Sequence, residues 1–254
     1  MPPIQTNSKG NGSAEISFRM HTITPKGELK SALILLHGSG GTGKNFRNWL
    51  LFEKFQLPHT ICYFPTAPLR RYSFTRCRSN VWHDRTSLDL DGEEDKEGFA
   101  QSTKYVHDLL DQIAQELNLP SNKIALGGFS MGGGLSLYSG LLYPKKLSSI
   151  IAMSSFLYSS SSLYSQLSNL RNQSNNDECT LKLEQVYPNV TTKIFMAHGT
   201  DDYTVPILNS QATVNQLKEI DLNIDYHVYQ SLGHQLCSEE LRALQTFLQN
   251  QFDL

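Results

Sequence analysis

The sequence predicts an α/β fold in which helices cover both faces of a mostly parallel central sheet. Two observations carry this prediction: short runs rich in Ile, Val and Leu recur along the chain, and longer segments with helical periodicity separate them. A strand covered on both faces is apolar at successive positions, whereas a half-exposed antiparallel strand alternates apolar and polar residues. Strands that alternate with helices over the whole length indicate a doubly wound sheet.

Six apolar runs are predicted to be strands, over residues 32–36, 60–64, 123–126, 149–153, 193–197 and 224–229. Apolar residues at steps of three, four or seven predict a helix over 99–117. A second helix is expected to begin at or just after Ser130 and to end before Pro144. A third is expected to begin after residue 203 or 206 and to end at about residue 219. A last helix is expected after Ser238, which can cap it, with Glu239 and Glu240 near its positive end.

Length and composition indicate a single globular domain. The chain has 254 residues, of which 39% are hydrophobic and 18% are charged, and one α/β domain commonly reaches this size. We expect a polar flexible leader over 1–15 and one domain over 16–254. The segment 159–177 is rich in Ser and Asn, which is typical of a surface-loop insertion.

Charge and cysteine usage limit the classes of partner. The formal charge of -2 gives no basic surface of the kind that nucleic acid selects, so no nucleic acid is expected. The leader lacks signal-peptide features, and no apolar run reaches the roughly 20 residues of a membrane span, so we expect at most peripheral membrane contact. The four cysteines show no metal or disulfide spacing, which favours a reducing, cytoplasmic location. A monomer or weak dimer is expected.

The segment 127–133, Gly-Gly-Phe-Ser-Met-Gly-Gly, is the strongest functional signal in the chain. A serine on a tight strand-to-helix turn is held in a strained conformation, and flanking glycines avoid the collisions that side chains would cause. Gly-x-Ser-x-Gly alone also occurs in ordinary turns. Because a predicted strand precedes the motif and a helix follows it, we identify Ser130 as the candidate nucleophile of a serine hydrolase.

A serine hydroxyl needs a base that takes its proton and an acid that orients the base. In this type of fold both follow the serine in chain order, on loops after later strands. His234 follows the run 224–229 and is the candidate base, whereas packing or loop hydrogen bonding is favoured for His37 and His198. Asp201 and Asp202 are both candidate acids, and only one of two neighbours on an extended loop can reach the imidazole.

Acyl transfer also needs donors for the oxygen that becomes negative in the tetrahedral intermediate. The backbone N–H groups of Met131 and of Ser39, in the glycine-rich loop 37–43, are the candidates for this oxyanion hole. A simple flexible turn and a phosphate-binding loop are alternative interpretations of that loop. The phosphate loop is disfavoured because Gly43-Lys44 is followed by asparagine. No metal ligand spacing is present, and the chemistry needs no cofactor.

Two further features have weaker assignments. Arg70, Arg71, Arg76 and Arg78 form a local basic cluster, for which a solvated loop is favoured over a specific anion site. Trp82 is a candidate for lining an acyl pocket, with ordinary core packing as the favoured alternative.

Six segments together resemble the acyl-protein thioesterase and lysophospholipase family, which has the α/β-hydrolase fold. They are 35–40 (LLHGSG), 64–68 (FPTAP), 79–84 (SNVWHD), 127–133 (GGFSMGG), 198–202 (HGTDD) with 205–206 (VP), and 233–234 (GH). The resemblance implies that the serine and base are Ser130 and His234, and it selects Asp202 as the acid. It also implies oxyanion donors at Ser39 and Met131, two residues that agree better with the lysophospholipase-like branch than with the thioesterase branch.

The resemblance also implies a substrate class. We expect hydrolysis of carboxylic esters or thioesters through an acyl-enzyme, with acyl-protein thioesterase (depalmitoylase)-like activity on an acylated protein or a small acyl ester or thioester. A short-chain carboxylesterase and a lysophospholipase are the alternatives within the same chemistry. A non-catalytic binding protein with the hydrolase fold is the rival from another class, because a fold alone does not imply a function.

Overall fold

The computed structural model describes residues 20–172 and 184–253. Its strands are β1 (Met20–Ile23), β2 (Ser31–Leu36), β3 (Thr60–Pro65), β4 (Leu69–Tyr72), β5 (Cys77–Asn80), β6 (Ile124–Phe129), β7 (Ser149–Met153), β8 (Lys193–Gly199) and β9 (Ile224–Tyr229). Seven of them form one sheet in the order β1-β3-β2-β6-β7-β8-β9, and β4 and β5 form a separate hairpin. Strand β1 runs antiparallel to β3, and the other neighbours in the large sheet are parallel.

Helices cover both faces of this sheet, as the sequence predicts. They are α1 (Gly43–Phe52), α2 (Lys96–Glu116), α3 (Met131–Leu142), α4 (Ser162–Asn172), α5 (Ile207–Glu219) and α6 (Ser238–Phe252). Alternate residues of β2 belong to different cores: Ile34 lies in the cluster that includes residues of α2, α3, α4 and α5, and Leu35 lies in the cluster that includes residues of α1 and α6. Burial of both faces explains why the strands read as continuous apolar runs.

Two predicted boundaries differ from the observed ones. Strand β6 extends to Phe129, directly before the serine of the motif, and Lys123 lies in a short 3-10 turn instead of the strand. The last helix is capped by Cys237 and not by Ser238, because the Sγ atom of Cys237 accepts the N–H of Glu240. The sequence reasoning also missed β1, α1 and the hairpin, whose short or weakly apolar segments give little periodic signal.

The prediction of a surface loop over 159–177 is wrong for residues 162–172, which form α4. Leu163 and Leu167 are buried in the core, and their spacing of four residues is a helical signal that the polar composition concealed. The Glu94 carboxylate accepts hydrogen bonds from the hydroxyls of Ser161 and Ser162 at the start of this helix. Residues 173–177, like the leader 1–15, lie outside the described residues.

The basic cluster lies on the β4–β5 hairpin, so the prediction of a loop is wrong there. Arg71, Arg76 and Arg78 are exposed, in agreement with the solvated environment expected for them. Arg70 is half-buried, and burial lowers its pKa despite the nearby carboxylates of Asp84 and Asp95. No helix within residues 20–172 and 184–253 is long and apolar enough to cross a membrane.

Candidate active site

Ser130 lies in the turn between β6 and α3, at the carboxyl edge of the sheet. Its backbone has φ 55° and ψ -122°, a region that costs energy for any residue with a side chain. The neighbouring glycines make this turn sterically feasible. A Cβ atom on Gly128 would lie 2.3 Å from the backbone of Gly132, and one on Gly132 would lie 2.2 Å from the carbonyl oxygen of Leu36. The motif therefore forms the strained strand-to-helix turn that its glycines predict.

The structure brings Ser130, His234 and Asp202 together from the loops after three different strands. Asp202 Oδ2 lies 2.7 Å from His234 Nδ1, and His234 Nε2 lies 3.0 Å from Ser130 Oγ. A carboxylate only accepts, so Nδ1 carries a proton and Nε2 is left to accept the hydroxyl proton of Ser130. Asp201 is exposed and instead accepts a hydrogen bond from the hydroxyl of Thr200. Of the two candidate acids, only Asp202 contacts the imidazole.

The Asp202 carboxylate is buried and has several hydrogen-bond donors. Its Oδ1 atom accepts the N–H groups of Thr204 at 3.0 Å and Val205 at 2.8 Å. Burial alone raises the pKa of Asp202, but hydrogen bonds from His198, His234 and Val205 outweigh this effect and hold the pKa well below its ordinary value. The carboxylate is therefore ionised at neutral pH, as it must be to stabilise a protonated imidazole next to it.

The glycine-rich loop after β2 lies against the nucleophile. A Cβ atom on Gly38 would lie 3.1 Å from the Cβ atom of Ser130, so the loop backbone passes close to the serine. The N–H of Gly40 donates to the carbonyl of Asn80 at 2.9 Å, which ties the loop to the end of the hairpin. Met131 is the first residue of α3, and N–H groups in the first turn of a helix have no intrahelical acceptor.

Trp82 is completely buried and packs in the core between the sheet and α2, so it does not face an open acyl pocket. Its indole N–H donates to the carbonyl oxygen of His37 at 2.8 Å. The His37 ring also joins this arrangement, because its Nε2 atom accepts the N–H of Ala67 at 3.0 Å. Burial lowers the pKa of His37 to about 4, so this imidazole is neutral at pH 7. Both side chains fix the loop that carries Ser39.

His198 has a contact that sequence reasoning did not anticipate. Its ring is fully buried, and Nε2 lies 2.8 Å from the carbonyl oxygen of Val205 and 3.4 Å from Asp202 Oδ2. The loop hydrogen bond was expected, but the approach to the Asp202 carboxylate was not. The available signal was the position of His198 four residues before Asp202 in the same turn. Across the described part of the chain, no group of three or more His, Cys, Asp or Glu residues is arranged to hold a metal ion.

A family model described as phospholipase/carboxylesterase matches residues 19–252 of the chain. The chain belongs to this family. An acyl-protein thioesterase 1 of Neurospora crassa is 33% identical over 236 residues, which cover 86% of this chain and 85% of the relative. A mouse lysophospholipase-like protein 1 is 26% identical, with 89% of each chain covered. The crystal structure of a Zea mays acyl-protein thioesterase 2 superposes with a TM-score of 0.76 at 26% identity, covering 92% of this chain and 99% of that one.

These comparisons confirm the resemblance and the α/β-hydrolase fold, and they identify the chain as a hydrolase of the phospholipase/carboxylesterase family. They do not favour the lysophospholipase-like branch over the thioesterase branch, because identity is higher with the Neurospora crassa thioesterase than with the mouse lysophospholipase-like protein.

Proposed function

We propose that the chain hydrolyses carboxylic esters or thioesters with Ser130 as nucleophile, His234 as general base and Asp202 as the residue that orients the base. The observation that carries this proposal is the continuous line of hydrogen bonds from Asp202 Oδ2 through both ring nitrogens of His234 to Ser130 Oγ, at 2.7 Å and 3.0 Å. Nucleophile, base and orienting acid in this geometry are the requirements for covalent acyl transfer.

In the first half of the reaction, His234 Nε2 takes the hydroxyl proton as Ser130 Oγ attacks the carbonyl carbon. The carbonyl oxygen becomes negative, and we assign the backbone N–H groups of Met131 and Ser39 as its donors. The N terminus of α3 adds a favourable dipole at this position. Collapse of the intermediate expels the alcohol or thiol, which leaves with the proton held by His234.

In the second half, His234 Nε2 takes a proton from water, and the resulting hydroxide attacks the acyl carbon bound to Ser130. The same two N–H groups bind the new oxyanion. Collapse releases the carboxylic acid and returns the proton to Ser130 Oγ. Both halves begin with His234 unprotonated at Nε2, the atom that accepts the proton.

For the substrate, we propose an acylated protein cleaved at a cysteine thioester, as in an acyl-protein thioesterase. The named thioesterase relative, matched over most of both chains, supports this choice. A small acyl ester or thioester is the substrate to use in the laboratory. Short-chain carboxylesterase and lysophospholipase activities are the alternatives, and the length of the preferred acyl chain separates them from depalmitoylation.

We further propose a cytoplasmic protein that contacts membranes at most peripherally and acts as a monomer or weak dimer. The ground for the location is cysteine usage in the sequence, whose four cysteines lack the spacing of a disulfide framework or a zinc site. The preferred location is tested by fractionating cells that express the tagged chain. Sedimentation velocity at several concentrations tests the oligomeric state.

The experiment that tests the activity compares the wild type with Ser130→Ala on matched acyl thioesters and esters of two, eight and sixteen carbons, chain lengths chosen to span short and long substrates. We expect loss of turnover in Ser130→Ala and formation of one covalent adduct per chain when the wild type meets a serine-directed phosphonate. Ser165→Ala removes an exposed hydroxyl that bonds only to the backbone of its own helix α4, so it is the matched control and is expected to retain activity.

Two outcomes would contradict the proposal. Equal turnover by wild type and Ser130→Ala would exclude the serine mechanism. A burst of one acyl group per chain with no further turnover would favour the non-catalytic binding protein. A ratio of rates that strongly favours two-carbon substrates would retain the mechanism but replace the thioesterase assignment by a short-chain carboxylesterase.

A further inference from the structure

His198 is a buried imidazole next to the candidate triad that the mechanism above does not use. It lies near the end of β8, with none of its surface exposed, and only one of its ring nitrogens has a partner among the described residues. That atom, Nε2, lies 2.8 Å from the carbonyl oxygen of Val205. A carbonyl oxygen only accepts, so Nε2 must carry a proton and donate it.

The same Nε2 atom approaches the carboxylate that contacts the base. It lies 3.4 Å from Asp202 Oδ2, the oxygen that accepts from His234 Nδ1. The other carboxylate oxygen, Oδ1, accepts the N–H of Val205 at 2.8 Å. These contacts therefore form a closed cycle. Asp202 Oδ1 accepts the N–H of Val205, the Val205 carbonyl accepts from His198 Nε2, and Nε2 lies next to Asp202 Oδ2.

This cycle of contacts restricts rotation of the Asp202 carboxylate. Backbone N–H groups hold Oδ1, but they leave the plane of the carboxyl group free to tilt about the bond to its Cβ atom. The Nε2–H group of His198, fixed by its hydrogen bond to the Val205 carbonyl, stands against Oδ2 and blocks that tilt. Hydrogen bonds from an imidazolium to a carboxylate depend strongly on direction, so a tilted Asp202 would stabilise a protonated His234 less well.

We infer that His198 is a positioning residue of the triad, which holds Asp202 Oδ2 in line with His234 Nδ1. This inference rests on the proposed serine mechanism. His198 touches neither substrate nor the reacting atoms, and its effect on the reaction passes through Asp202. His198 Nε2 lies 3.4 Å from Asp202 Oδ2 and only 2.8 Å from the Val205 carbonyl oxygen. We therefore assign its main contribution to the orientation of the Asp202 carboxylate and not to a strong hydrogen bond with it.

Two amide substitutions test this role in the full chain. The amide nitrogen of glutamine in His198→Gln reaches about as far from the backbone as imidazole Nε2, whereas the shorter side chain in His198→Asn stops near the position of Nδ1. We expect His198→Asn to lower kcat for a p-nitrophenyl ester by about 10- to 100-fold with little change in KM. His198→Gln should keep kcat within about threefold of the wild type, since its amide NH2 group retains a donor at this position.

Three comparisons decide the outcome. If a folded His198→Asn keeps the wild-type kcat, His198 does not position the triad. If His198→Gln is folded and as impaired as His198→Asn, a donor at the position of Nε2 does not restore the triad, and the inference is overturned. If His198→Asn does not fold, as judged by circular dichroism, then His198→Gln alone decides: wild-type kcat and KM support the inference, and a lowered kcat overturns it.

Ser130→Ala, assayed in parallel, separates this inference from the proposed function. Turnover by Ser130→Ala would remove the serine mechanism whatever the His198 variants do. An inactive Ser130→Ala together with wild-type behaviour of both His198 variants would remove only the positioning role.

Discussion

Replacing Glu240 by glutamine should stabilise the protein by an amount that grows with pH. The Glu240 side chain is completely buried in the first turn of α6, and burial raises its pKa from 4.5 to about 8, although the backbone of Cys237 partly offsets this. The native protein therefore holds this proton more tightly than the unfolded chain does. The contribution to stability is fully present below about pH 4.5 and is lost as the pH rises to about 8.

The magnitude follows from the two pKa values. Each pKa unit corresponds to about 1.4 kcal/mol, so at pH 7 the wild type has lost about 3 kcal/mol relative to acidic pH, and above pH 8 about 5 kcal/mol. Glu240→Gln keeps the size and the acceptor oxygen but cannot ionise. Its free energy of unfolding should match that of the wild type near pH 4.5 and exceed it by about 3 kcal/mol at pH 7.

Urea unfolding followed by tryptophan fluorescence at pH 5, 7 and 8.5 measures this difference. Glu239→Gln is the matched control, because the Glu239 carboxylate is exposed on the same turn of the helix. This control keeps Glu240, so its free energy of unfolding should fall with pH as that of the wild type does. A stability difference between Glu240→Gln and the wild type that is the same at all three pH values would refute the reasoning.

The remaining predictions concern the candidate site. Asp202→Asn should lower kcat by about 10⁴-fold by favouring the wrong imidazole tautomer, while Asp201→Asn stays near wild type in the same ester assay. Trp82→Phe removes the indole donor to the loop after β2 and should cost about 1 kcal/mol in urea unfolding, with a lower kcat; unchanged values would contradict its role in fixing that loop. Gly132→Ala places a Cβ atom 2.2 Å from the Leu36 carbonyl oxygen and should cost about 3 kcal/mol or more, so a normal melting temperature would exclude the observed turn.

The sequence predicted the parts of the fold that bury a continuous apolar surface. Strand β8 and helix α2 follow directly from their apolar residues, because burial between two layers leaves little choice of residue type. The hairpin was missed because its residues are mostly polar and its geometry depends on contacts with distant loops. Helix α4 was missed for a related reason: two leucines, Leu163 and Leu167, anchor it within a segment that is otherwise polar.

The site was predictable where chemistry constrains local sequence. The glycines around Ser130 reveal the strained turn, and chain order points to His234. The choice between Asp201 and Asp202 could not be made from the residues alone, because it depends on which side chain faces the imidazole across the sheet edge. The contact of His198 with Asp202 also depends on how the loop after β8 folds back, since Val205 must return to the end of the strand from which it departs.

The position of each strand in the sheet gives the nucleophile and the base different local rigidity. Strand β6, which leads to Ser130, is central and every residue in it is buried, whereas β9, which leads to His234, is an edge strand with no fully buried residue. Amide hydrogens on β9 should therefore exchange with solvent at a smaller opening free energy than those on β6. A fluctuation that frees only β9 would separate the base from an otherwise intact nucleophile, so activity would be lost on warming before the core of the protein melts.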